Sequence, residues 1–231
     1  MKALLVAAGL LSGLTALAVA PTAGATNECR GLNPCVKVAG PWVVVPTARA
    51  APRPQVQYQL TCPRRFIVGG MDAELTDPSI DVSFIGSSGA PVSPGVTTSR
   101  SVVFVASYVG DRPQAPTFRP HIGCIPASGG GTRTPTGARA VAPPGHPTVR
   151  RVVTGRVRRE SSLVAACRAD ERMVGWYSAR GFATAQPPDP GLVASLYTKT
   201  SVRKNSISVL ARAGRGQGIV QLGAICAGGV G

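Results

Sequence analysis

The chain has 231 residues, with 25 Lys and Arg against 10 Asp and Glu, for a formal net charge of +15 at pH 7. Its 28 Gly and 21 Pro punctuate short apolar runs and leave no amphipathic helical stretch beyond the first residues, which argues against a helical bundle. Six Cys without a Cys-x-x-C, and only His121 and His146 to assist them, argue against a redox or metal-binding thiol set.

Residues 1–25 read as a secretory signal peptide. Lys2 supplies the positive start, Ala3 to Ala20 form an apolar stretch broken by Ser12, Gly13 and Thr15, and Ala23-Gly-Ala25 is a small-x-small cleavage site. Ala18-Val-Ala20 has the same form, but Pro21 would follow that cut. An uncleaved membrane anchor would want a longer apolar run. Thr26-Asn-Glu28 separate Cys29 from the cut, so no lipid-attachment cysteine follows, and the final Ala227-Gly-Gly-Val-Gly231 has no hydrophobic tail. The expectation is a secreted protein without a transmembrane segment, in a compartment where cysteines oxidise.

Residues 26–40 form a small leader looped by Cys29 and Cys35. A first β module is expected over 41–127, a Gly/Pro/Ser/Thr-rich linker over 128–145 and a second module over 146–231. In the first module the apolar runs are 42–45, 56–60, 66–68, 80–84, 102–109 and 120–122. In the second they are 149–157, 162–165, 172–174, Leu192-Val-Ala-Ser-Leu-Tyr197, 206–210 and 219–222. Val56/Tyr58/Leu60, Ile80/Val82/Phe84 and Ile207/Val209 alternate with polar neighbours, the pattern of strands with one buried face. The fold class expected is all-β, two tandem antiparallel sandwich-like modules.

The two modules share a frame. Cys62 opens Cys-Pro-Arg-Arg-Phe-Ile-Val-Gly-Gly70 and Cys124 closes Phe118-Arg-Pro-His-Ile-Gly-Cys124. Cys167 opens Cys-Arg-Ala-Asp-Glu-Arg-Met-Val-Gly175 and Cys226 closes Val220-Gln-Leu-Gly-Ala-Ile-Cys226. Of the fifteen pairings six cysteines allow, the frame favours Cys62–Cys124, Cys167–Cys226 and the short loop Cys29–Cys35. Closing a loop of about 60 residues stabilises by roughly 4 kcal/mol, and one of about seven residues by roughly 2 kcal/mol.

Cys-Pro-x(4)-Val-Gly-Gly followed by a last strand ending Ala224-Ile-Cys226, with the leader Glu28-Cys-Arg-Gly-Leu-Asn-Pro-Cys35 and Gly40-Pro-Trp-Val-Val-Val-Pro46, resembles secreted proteins of high-GC Gram-positive bacteria that carry tandem disulfide-framed β modules. Arg168 and Trp176 are the departures, standing where the pattern has Pro63 and Gly70. The resemblance implies an extracellular, disulfide-tied sandwich and carries no catalytic residues.

Four constellations bear on function. Ile67-Val-Gly-Gly70 resembles the activation terminus of trypsin-like proteases, but no Ala-Ala-His-Cys or Gly-Asp-Ser-Gly-Gly accompanies it. Asp72, Glu74, Asp77 and Asp81 could supply paired carboxylates for a secreted glycan hydrolase, with Asp72 and Glu74 on one strand face. Trp42, Trp176 and Tyr177 could present flat rings to a ligand, although core or core-edge packing is the reading favoured for both tryptophans. Arg150, Arg151, Arg156, Arg158, Arg159, Arg203 and Lys204, joined by Arg168, Arg172, Arg180, Lys199, Arg212 and Arg215, could hold a polyanion, since guanidinium forks suit phosphate, sulfate and carboxylate.

The charge lies in the second module. Residues 41–126 hold 7 Lys/Arg against 5 Asp/Glu, a net of +2, and residues 147–231 hold 13 against 4, a net of +9. The leading expectation is an exported non-enzymatic protein, needing no cofactor, whose basic second module contacts an anionic polysaccharide or other envelope polyanion. The alternatives are the hydrolase, or a purely structural or partner-binding protein whose arginines reflect composition.

Overall fold

The computed structural model describes residues 26–47, 52–86, 99–111, 116–127 and 148–228. The signal peptide and the 128–145 linker read from the sequence lie outside those residues. In the first half the strands are β1 (Val36–Ala39), β2 (Trp42–Val44), β3 (Gln55–Thr61), β4 (Phe66–Leu75), β5 (Ile80–Gly86), β6 (Ser101–Tyr108) and β7 (Thr117–Pro126). The second half has β8 (Thr148–Val157), β9 (Glu160–Ala166), β10 (Glu171–Phe182), a short helix α1 (Pro190–Ser195), β11 (Leu196–Arg203), β12 (Ser206–Ala213) and β13 (Gly218–Gly228). Every strand pairing is antiparallel.

Five strands of each half correspond, β3–β7 to β9–β13. β3-β6-β5 form one three-stranded sheet and β9-β12-β11 another in the matching order. Val68, six residues after Cys62, pairs with Cys124, and Met173, six after Cys167, pairs with Cys226. Both strands then break register by one residue, between Val68 and Gly70 and between Met173 and Gly175. The extra residue of a bulge turns the next side chains to the other face. All three disulfides form as the frame favours: Cys29–Cys35, Cys62–Cys124 and Cys167–Cys226.

The remaining strands make one sheet that both halves share. β4 and the successive strands β1 and β2 flank β7, β2 also pairs β10, and β13 and β8 follow. The join is Val43 opposite Gly181 and Trp42 opposite Phe182. Val43 and Val45 belong to the core of the first half and Val44 to that of the second, so the two three-stranded sheets cover opposite faces of the shared one. A strand buried on both faces reads as a continuous apolar run, which is why Trp42-Val-Val-Val45 does not alternate.

A second lock joins the halves. The Gln221 side chain on β13 accepts from the Gln59 N–H at 2.7 Å and donates to the Gln59 carbonyl at 3.0 Å. A side-chain amide thus completes the edge of β3 as a neighbouring strand would. It also donates to Thr154 Oγ1 at 3.1 Å.

One sequence expectation is corrected. Leu192 to Tyr197 is not a single strand, because Asp189 accepts from the Leu192 N–H at 2.8 Å and Pro190 stands at the helix start, so a helical turn precedes β11. Among the described residues no helix is long and apolar enough to cross a membrane.

Candidate ligand-binding cleft and the basic surface

The seven cations singled out from sequence do not come together on one face. Successive side chains on a strand point to opposite faces, and β8 separates Arg150 from Arg151 in this way. Arg150 is half-buried, donates to Gln57 Oε1 at 2.8 Å and lies 5.6 Å from the Tyr177 ring centroid. Burial lowers its pKa, so this guanidinium belongs to the packing between the halves. Arg151 pairs with the Glu171 carboxylate, which also accepts from the Arg168 N–H at 2.8 Å. Held first by the Arg151 hydrogen bond and then by the Arg168 backbone, the Glu171 carboxyl falls to about 2.

The other five are exposed, at two ends of the β9-β12-β11 sheet. Arg158 and Arg159 in the β8–β9 turn sit beside the β12–β13 turn, where the Ala213 N–H donates to the Arg159 carbonyl at 2.8 Å, and Arg156 precedes them on β8. Arg203 and Lys204 lie in the β11–β12 turn, tied to the β9–β10 turn by Asn205, whose amide donates to the Arg168 carbonyl at 3.0 Å. The length of β12 separates the two ends, roughly 25 Å at ~3.3 Å per residue. Among the described residues Arg158, Arg159, Arg203 and Lys204 have no carboxylate partner, whereas Arg212 pairs with Glu160 at 2.6 Å.

Three of the four carboxylates are engaged in structural contacts. Asp72 and Glu74 share the outer face of β4, as alternation predicts, and both are engaged. Asp72 Oδ2 accepts from the Asn27 N–H at 2.6 Å, and Glu74 Oε1 lies 3.1 Å from His121 Nε2. Asp77 is buried, accepting from Ser79 N–H at 2.8 Å and Tyr108 OH at 3.2 Å. Asp81 is exposed on β5, in a different sheet.

The leader explains the crowding at Asp72. Its backbone crosses the outer face of the first half over Gly70 and Gly123, where a Cβ on either would meet the Glu28 carbonyl. Glu28 is buried there, 3.4 Å from Lys37 Nζ and 3.9 Å from His121 Nδ1. Burial works to raise its pKa, yet the Thr26 side chain, its own backbone N–H and the Lys37 and His121 charges hold it low. Burial lowers His121, against the pull of Glu74 and Glu28. Nothing in the order of the chain joins residues 28, 37, 74 and 121; the leader's path over β4 and β7 does.

A different concavity lies at the junction of the halves, with a volume of about 330 Å³. One wall is β10, whose alternate residues Trp176, Ser178 and Arg180 point into it; another is Thr198 and Thr200 of β11, and Gln55 opens β3 on the third side. Pro46 and Pro54 border it, and Val44 of β2 forms part of the floor. Of the two tryptophans expected to pack in the core, Trp42 is buried but Trp176 is 48% exposed and lines the cleft; Tyr177 is buried.

Arg180 is half-buried, and its Nη1 donates to the Leu196 carbonyl at 3.0 Å. Among the described residues no carboxylate pairs with it, and burial alone lowers its pKa. The Trp-x-Ser-x-Arg alternation was the available signal for this wall, though nothing in the chain order announces the opposite ones.

Cys167, Glu171 and Cys226 are the one group of three potential metal ligands among the described residues, but both sulfurs are spent in the disulfide. A scan against protein-family models and searches of curated proteins and solved structures find no match for the chain.

Proposed function

We propose that the protein is exported and acts without catalysis, its basic second half holding an anionic polysaccharide or similar polymer of the cell envelope. The observation that carries this reading is the pair of exposed cationic ends, Arg158/Arg159 and Arg203/Lys204, without carboxylate partners among the described residues. A small anion could meet one end only. A ligand that engages both must span roughly 25 Å, and a polymer does. The signal-like first 25 residues and three disulfides support an oxidising, extracellular setting.

The test is retention of the full chain on immobilised polygalacturonate across a salt gradient. Retention should weaken as salt rises, because exposed charges are screened beyond about 8–10 Å at physiological ionic strength. The double changes Arg158→Glu/Arg159→Glu and Arg203→Glu/Lys204→Glu should each elute earlier. Arg30→Glu/Arg64→Glu, an equal change of charge among exposed first-half residues, should elute close to the parent. Salt-insensitive retention, or equal effects from all three pairs, would overturn the reading.

A further inference from the structure

We propose that the junction cleft is a subsite for one acid-bearing sugar unit, with Arg180 taking the carboxylate and Trp176 facing the ring. The inference rests on the polymer-binding reading and gives it a specific contact. Three observations meet here. The first is a guanidinium withdrawn from water without a carboxylate partner among the described residues. Of its five donors, the Leu196 carbonyl occupies only one from Nη1. A half-buried cation in that state favours an anion with planar acceptor geometry, which a carboxylate has.

The second is Trp176, whose large ring is half exposed in a concave wall rather than packed away. A flat apolar ring edged by hydrogen-bonding groups suits a pyranose, which has apolar C–H faces and a polar rim. The third is the polar part of the remaining lining, Ser178, Thr198, Thr200 and Gln55, which offers hydroxyls and an amide to that rim. The volume of about 330 Å³ is at the small end of ligand pockets. Val44, Val56, Pro46 and Pro54 complete the lining and offer apolar contact to the C–H faces of a sugar. The cleft also lies along β11, the strand that runs between the two cationic ends, so a polymer crossing from one to the other passes its mouth.

An acidic peptide is the competing occupant, since β11 is an edge strand and could accept another strand. The bordering Pro46 and Pro54, which have no N–H to donate to an added strand, and the tryptophan platform favour the sugar.

Isothermal titration of the full chain with a short oligogalacturonate tests the proposal, run beside a neutral galactan of equal length, a glycerol-phosphate oligomer and an oligoglutamate. The oligogalacturonate should bind at least about tenfold more tightly than the other three. Arg180→Lys keeps the charge but loses the fork, and should weaken binding about tenfold. Trp176→Ala, at a half-exposed site, should do the same, with a circular dichroism spectrum like the parent's. Arg30→Glu/Arg64→Glu, an equal change of charge on the exposed first half, should leave the short oligomer's affinity within about twofold.

Unchanged oligogalacturonate binding in both Arg180→Lys and Trp176→Ala would overturn the subsite even where salt-sensitive retention persists. Preference for glycerol phosphate or oligoglutamate would overturn the sugar assignment. Absence of salt-sensitive retention would remove the polymer reading itself, a separate failure.

Discussion

Gln221 shows how much one buried side chain can hold. It is nearly inaccessible, and its amide satisfies both backbone groups of Gln59 across 162 positions of sequence. Gln221→Glu keeps the shape and removes the donors, leaving the Gln59 carbonyl opposite a carboxylate. Equilibrium unfolding in denaturant should report a loss of about 2–4 kcal/mol, against less than about 0.5 kcal/mol for Arg156→Ala on the exposed surface. The same scale governs the acid response. Glu28 and Glu171 both have pKa values lowered in the fold from an ordinary 4.5, so their contributions are complete above that value and fade as pH falls below it; for Glu171 the window runs down to about 2. His121 is lowered from 6.5, so the folded state prefers neutral imidazole and loses stability as pH falls below 6.5. Lys37, Asp72, Glu74 and Arg119 are the charges that complete the surroundings of Glu28 and His121. Melting temperature measured from pH 7 down to pH 3 should therefore decline in two stages. Glu171→Gln should shrink the lower stage to the part due to Glu28 and leave the upper one unchanged.

At the scale of elements, the strands and disulfides were largely legible because their causes are local in the chain. Val56, Tyr58 and Leu60 alternate in sequence and are all buried in β3, and Ile207 and Val209 behave likewise in β12. The cysteine frames fixed their partners because each second cysteine faces the strand that follows the first, Cys124 opposite Val68 and Cys226 opposite Met173. The turn before β11 is not legible in the sequence because Leu192 to Tyr197 is too short for periodicity to separate helix from strand, and the capping Asp189 lies just outside it. The cleft is not legible for a different reason: its walls come from residues 55, 176–180 and 198–200, and only the fold brings them together. Removing the crosslinks should grade with loop length. Cys62→Ser/Cys124→Ser should cost about 4 kcal/mol and Cys29→Ser/Cys35→Ser about 2 kcal/mol, read from denaturant midpoints of the oxidised proteins.

For the whole molecule, the decisive feature is that β2 belongs to both cores. Two modules that share a sheet, with Val43 against Gly181 and Gln221 against Gln59, should unfold together. Val43→Ala, at a position with no exposed surface, should lower a single calorimetric transition rather than split it, with calorimetric and van't Hoff enthalpies in agreement. The sequence places the two modules in tandem but is silent on this union, since the partners of β2 are set by contacts at long range. The union also creates the cleft, and so gives the basic half a shaped site as well as a charged surface. Amide-resolved chemical-shift mapping of the full chain during titration with oligogalacturonate tests that claim most directly. The account predicts perturbations at the Trp176 indole and at Ser178, Arg180, Thr198 and Thr200, with weaker ones toward Arg159 and Arg203. Perturbations gathered instead around Asp72 and Glu74 on the first half, or none at saturating oligomer, would contradict it.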